Sequence, residues 1–101
     1  MPFVKVGSVS SFPPGYTAEV QVGENVYALC NAEGEIHALD GSCPCTGGPL
    51  GRGALRDHLL VCPWHGFKFD CRTGLNSVDG GLRIATYPVR IQDDDILIDV
   101  P

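Results

Sequence analysis

Four side chains stand out as candidates for chemistry: Cys43 and Cys45 in Cys43-Pro44-Cys45, and Cys62 and His65 in Cys62-Pro63-Trp64-His65. Sixteen residues separate the two pairs. Closely spaced thiolate and imidazole ligands on two separate loops are a metal-binding signature. Ordinary packing is the competing explanation, because cysteine behaves as a small hydrophobe. Three cysteines and a histidine inside Gly/Pro-rich loops pack poorly, so ligation is the reading kept. The metal is a separate question. Three thiolates and an imidazole suit tetrahedral zinc. The same set can hold two iron and two sulfide ions, with two protein ligands per iron, and a mononuclear iron site is a further outcome. Ligand identity alone does not choose among them.

The elements that must position these ligands read as β-structure. Short β-rich runs bounded by turn residues replace any long 3.6-residue period. Strands are expected at Phe3–Val6, Thr17–Val22, Asn25–Asn31, Glu35–Leu39, Leu59–Val61, Phe67–Asp70, Ile84–Arg90 and Asp95–Val100. Gly23-Glu24 and Ala32-Glu33-Gly34 read as hairpin turns. Asp93-Asp94-Asp95 reads as a solvated turn before a mostly buried last strand. From Asp40 to Gly53 the β pattern breaks into a stretch with five glycines. Glycine permits positive φ and close backbone approach, as a chain wrapped around a centre requires. Cys43-Pro44-Cys45-Thr46-Gly47 and Cys62-Pro63-Trp64-His65-Gly66 form a short pseudo-repeat, as expected of two loops holding opposite sides of one site.

The segment GSCPCTGGPLGRGALRDHLLVCPWHGFKFDCRTG resembles the cluster-binding region of Rieske-type [2Fe–2S] ferredoxins. The resemblance covers roughly residues 36 to 90 and is most specific at the two Cys-Pro starts, Thr46–Leu50 and Cys62–Asp70. That family pairs a C-x-H loop with a C-x2-H loop. Cys45 stands where its first ligand histidine is expected. A designed His→Cys change, a natural variant and loss of the family's cluster are the three origins weighed. The first is favoured, because the surroundings look unaltered. A natural parent gene encoding cysteine there would contradict it. The resemblance implies one [2Fe–2S] cluster ligated by Cys43, Cys45, Cys62 and His65. Cys43 and Cys62 would hold the inner iron, and Cys45 and His65 the outer one. Some high-potential members link the two loops by a disulfide. The matching positions here are Gly48 and Trp64, and Phe67 stands where such members have a hydroxyl. Both features imply a low-potential ferredoxin.

The fold implied is all-β, a Rieske-like antiparallel sandwich or barrel in a single domain over residues 1–101. Its base would span about 1–40 and 76–101, and its cluster-binding subdomain about 41–75. Val4, Val20, Tyr27, Leu29, Leu60, Ile84, Val89, Ile96 and Ile98 are the expected core, with Tyr27 and Leu29 on one face of their strand. Pro14-Gly15 and Gly80-Gly81 read first as turn formers, and the resemblance gives the second a place in a loop covering the cluster. Trp64 reads as a shield or a loop anchor. His37 and His58 read as structural or solvated, and Cys30 and Cys71 as core or strand cysteines, with replacement ligands in a rearranged site as the alternative.

The function implied is electron transport, as a one-electron carrier rather than an enzyme, between a reductase and a terminal oxygenase or similar redox partner. A small subunit of a larger reductase, such as a nitrite reductase, is the alternative within the family. A zinc module is the alternative outside it. Net charge of −5 without a basic cluster argues against nucleic-acid and anionic-membrane partners. No signal peptide or membrane span is read, so a cytoplasmic location is expected. The five cysteines are then expected to be reduced or metal-bound.

Overall fold

The computed structural model describes residues 3–43, 47–64, 66–76 and 83–101. Its strands, numbered in chain order, are β1 (Val4–Ser8), β2 (Thr17–Val22), β3 (Asn25–Ala32), β4 (Glu35–Asp40), β5 (Ala54–Arg56), β6 (Leu59–Val61), β7 (Lys68–Asp70), β8 (Thr86–Tyr87), β9 (Val89–Gln92) and β10 (Asp95–Ile98). They form three antiparallel sheets, ordered β1-β10-β9, β2-β3-β4-β8 and β5-β6-β7.

The turns follow from local chemistry. Gly23, at φ 63°, opens the two-residue turn between Val22 and Asn25. Ala32 pairs with Glu35, so the next turn is Glu33-Gly34 alone. Its two residues lie at φ 56° and 96°, the double positive φ of a type I′ hairpin. Asp93-Asp94 turns from β9 to β10, and Asp95 already belongs to the strand. The Asp94 carboxylate accepts from the Ser10 backbone N–H at 3.0 Å and its hydroxyl at 2.8 Å.

Two departures from the sequence reading have clear causes. The run expected over Ile84–Arg90 is broken into β8 and β9, because Pro88 between them has no N–H to give a ladder. The short strand β5 was not expected, since Ala54-Leu55-Arg56 is too brief to show alternation.

The central sheet separates two cores. Along β3, Tyr27 and Leu29 face one core, while Ala28 and Cys30 face the other, as the period of two requires. On the first side Tyr27 and Leu29 meet Ile96 and Ile98 of β10. On the second, Ala28, Cys30 and Leu39 meet Leu60, Phe69 and the cysteines of the loops. Of the expected core, Tyr27, Leu29, Leu60, Ile84, Ile96 and Ile98 are buried, whereas Val4, Val20 and Val89 are only partly covered.

Candidate metal centre

The first metal-ligand loop leaves β4 and the second leaves β6. Each is closed by one equivalent backbone hydrogen bond. The Cys43 N–H donates to the Gly48 carbonyl at 2.9 Å, and the Cys62 N–H donates to the Phe67 carbonyl at 2.7 Å. Gly47 and Gly66 hold equivalent places, at φ 73° and 72°. Among the described residues, the pseudo-repeat thus shares its closing hydrogen bond and its left-handed glycine.

Among the described residues of the loops, the first cysteines are buried and residues that follow them are exposed. Cys43 and Cys62 are 2% and 1% exposed and share one apolar core with Leu50, Leu60 and Phe69. Gly47, Pro63 and Gly66 are exposed, and Trp64 is 51% exposed. Cys45, His65 and the Gly80-Gly81 pair lie outside the described residues. Among the described residues no three His, Cys, Asp or Glu side chains gather as a metal cage. Cys43 and Cys62 are thus the described part of the expected ligand set.

Side chains outside the motif fix the frame. The Gly41 N–H donates to the Val26 carbonyl and the Leu50 N–H to the Gly41 carbonyl, so the first loop is pinned to the central sheet at both ends. A Cβ at Gly41 would collide with the Val26 backbone, so only glycine fits there. The Asp40 carboxylate accepts from the Tyr87 hydroxyl at 2.6 Å and the Ala85 N–H at 2.9 Å. Burial, then this bond to Asp40, pushes the Tyr87 hydroxyl pKa up. Beyond the second loop, the guanidinium of Arg72 reaches both Asp70 oxygens, at 3.1 and 2.9 Å, and holds that carboxyl below its usual range. Sequence reasoning missed the Asp40 clasp, since its partners lie across the chain. It also missed that Cys30 and Cys71 meet in the core.

The family model for the Rieske [2Fe–2S] domain matches residues 2–88. The chain belongs to the Rieske [2Fe–2S] domain family. Among relatives of this Rieske domain, the biphenyl dioxygenase ferredoxin subunit of a Pseudomonas species is 34% identical over 98% of this chain and 93% of its own length. The mouse apoptosis-inducing factor 3 is 34% identical over 89% of this chain, which spans only 15% of that protein's length. Among solved structures, Sphingomonas yanoikuyae B1 ferredoxin superposes with a TM-score of 0.88 at 29% identity, covering 99% of this chain and all of that one.

The family's cofactor is one [2Fe–2S] cluster. The residues present fit it: two cysteines sit buried at equivalent points of two loops, each closed by a backbone hydrogen bond five residues on. Cysteine sulfur is the donor by which proteins hold such clusters.

Proposed function

We propose that this chain is a one-electron carrier that passes electrons from a reductase to an oxygenase or a similar redox enzyme. Its cluster would be held by Cys43, Cys45, Cys62 and His65. The observation that carries this reading is the pair of equivalent loops, each with a cysteine buried at its base. The [2Fe–2S] cluster supplies a single reversible electron when bound. Cys43 and Cys62 anchor its inner side within the core. Cys45 and His65 would complete the ligand set on its outer side, toward a partner protein. The same reading takes residues of about 41–75 as the cluster-binding part and about 1–40 and 76–101 as the base.

Several findings support it. Relatives that match nearly the whole chain are ferredoxin components of dioxygenases. No helix among the described residues is long and apolar enough to cross a membrane, which fits a cytoplasmic carrier. A net charge of −5 suits docking to a basic partner surface.

Cys45 in the histidine position gives the reading its sharpest consequence. A thiolate adds one negative charge relative to neutral imidazole and favours the oxidised cluster. The reduction potential should then fall between the roughly −150 to +300 mV of two-histidine centres and the roughly −400 mV of all-cysteine plant-type clusters. Protein-film voltammetry of this chain and of Cys45→His tests this. The variant is expected at higher potential, with stronger pH dependence because a second imidazole can take up a proton on reduction. An equal or lower potential in the variant would remove Cys45 from the ligand set.

A further inference from the structure

Two cysteines outside the proposed ligand set meet in the interior. Cys30 lies on β3 of the central sheet. Cys71 opens the turn after β7 of the third sheet. They are 0% and 1% exposed. The Cys30 thiol donates toward the Cys71 sulfur at 2.7 Å. That separation lies between a covalent S–S bond of about 2.05 Å and ordinary non-bonded contact of about 3.5–4 Å. Neither sulfur is needed for the ligand set of Cys43, Cys45, Cys62 and His65.

We propose that Cys30 and Cys71 are an oxidant-responsive dithiol–disulfide pair that staples the central sheet to the sheet bearing the second loop. The placement gives the bond a purpose. Residues 30 to 71 enclose both metal-ligand loops, so the disulfide closes a covalent ring around the whole candidate site. Both partners also sit in the core that holds Cys43 and Cys62. The ring would therefore resist separation of the two layers between which those cysteines are buried.

The chemistry is thiol–disulfide exchange with a low-molecular-weight disulfide such as oxidised glutathione. Cys71 meets it first, because its turn carries the exposed Arg72 and Thr73, whereas Cys30 is inside a sheet. The Cys71 thiolate attacks one glutathione sulfur, forming a mixed disulfide and releasing one glutathione thiolate, which takes up the Cys71 proton. Cys30 then loses its proton and attacks the Cys71 sulfur, and the second glutathione leaves as a thiol. Two cysteine thiols are oxidised by two electrons, and one disulfide is reduced to two thiols. Both sulfurs are buried, so the first step waits on a local opening of the turn after β7; donation to Cys71, then burial, raises the Cys30 thiol pKa and slows the second. In a reducing compartment the pair stays a dithiol, and oxidant closes it.

The test uses the full chain with its cluster, incubated with oxidised glutathione or with dithiothreitol, alkylated, digested and analysed by mass spectrometry. The expected product of oxidation is a peptide pair joined through Cys30 and Cys71, absent after dithiothreitol. The oxidised protein should also unfold at a higher temperature, by on the order of 10 °C. The gain should vanish in Cys30→Ala and in Cys71→Ala. Recovery of both cysteines alkylated after oxidation, or of glutathione adducts without the joined pair, would overturn the proposal. Peptide mapping of the native chain decides the matter even if the alanine variants fail to fold. The staple stands on its own geometry, and only its purpose rests on the cluster reading, so a joined pair in a chain without cluster absorption separates the two.

Discussion

At the scale of single residues, burial distinguishes Cys43 and Cys62 from surface thiols. Their spacing and Cys-Pro context made them visible in the sequence, because ligand pairs on short loops are local patterns. Cys30 and Cys71 gave no such signal. Their meeting depends on how β3 packs against the turn after β7, which no local pattern encodes. His37 reads from the sequence as structural or solvated, and its surroundings say what it does to stability. Its Nε2 is buried without a hydrogen-bond partner, 3.8 Å from Glu35. Burial lowers its pKa, Glu35 and Asp70 oppose the shift, and His58 and Arg72 add to it. Because the folded-state pKa lies below the unfolded value of about 6.5, protonation favours unfolding. The stabilisation is complete above that pH and declines as pH falls through it toward the folded value. In urea unfolding series across this window, His37→Gln is expected to lose less stability on acidification than the native chain. Identical pH dependence in the two would contradict the burial argument.

At the scale of elements, the two loops depend on glycine conformation rather than on space. A Cβ at Gly47 or Gly66 would meet nothing within 4 Å, yet both residues are left-handed. Gly66→Ala should therefore cost only the conformational penalty, about 1–2 kcal/mol. That corresponds to a fall in melting temperature of roughly 4–8 °C per kcal/mol. An unchanged melting temperature would mean that the second loop does not need its positive φ. The hairpins were legible for a related reason. Gly23-Glu24 and Glu33-Gly34 are turn chemistry flanked by alternating apolar residues, and Thr17–Val22 and Leu59–Val61 came out with the expected bounds. β5 was not legible because its three residues pair only through the geometry of the adjacent β6. The break at Pro88 was available in principle, since proline cannot continue a ladder, but the apolar run around it outweighed that signal.

At the scale of the whole molecule, the central sheet gives each of its faces a different task. One face packs on β10, with Ile96 and Ile98 at its centre, and makes the rigid base. The other packs on the sheet of β5, β6 and β7 and receives the buried cysteines of both loops. The cysteines at the base of the loops are thus buried between two sheets at once, as a cofactor held on its inner side requires. The claim on which this depends is that the site holds an iron–sulfur cluster, and not zinc, which the same donor types would accept. A visible and EPR spectrum of the purified chain, with iron and acid-labile sulfide quantified, tests it most directly. The family assignment predicts sulfide-to-iron absorption with two irons and two sulfides per chain, and a reduced-state EPR signal. A colourless protein carrying zinc, or iron without labile sulfide, would contradict it.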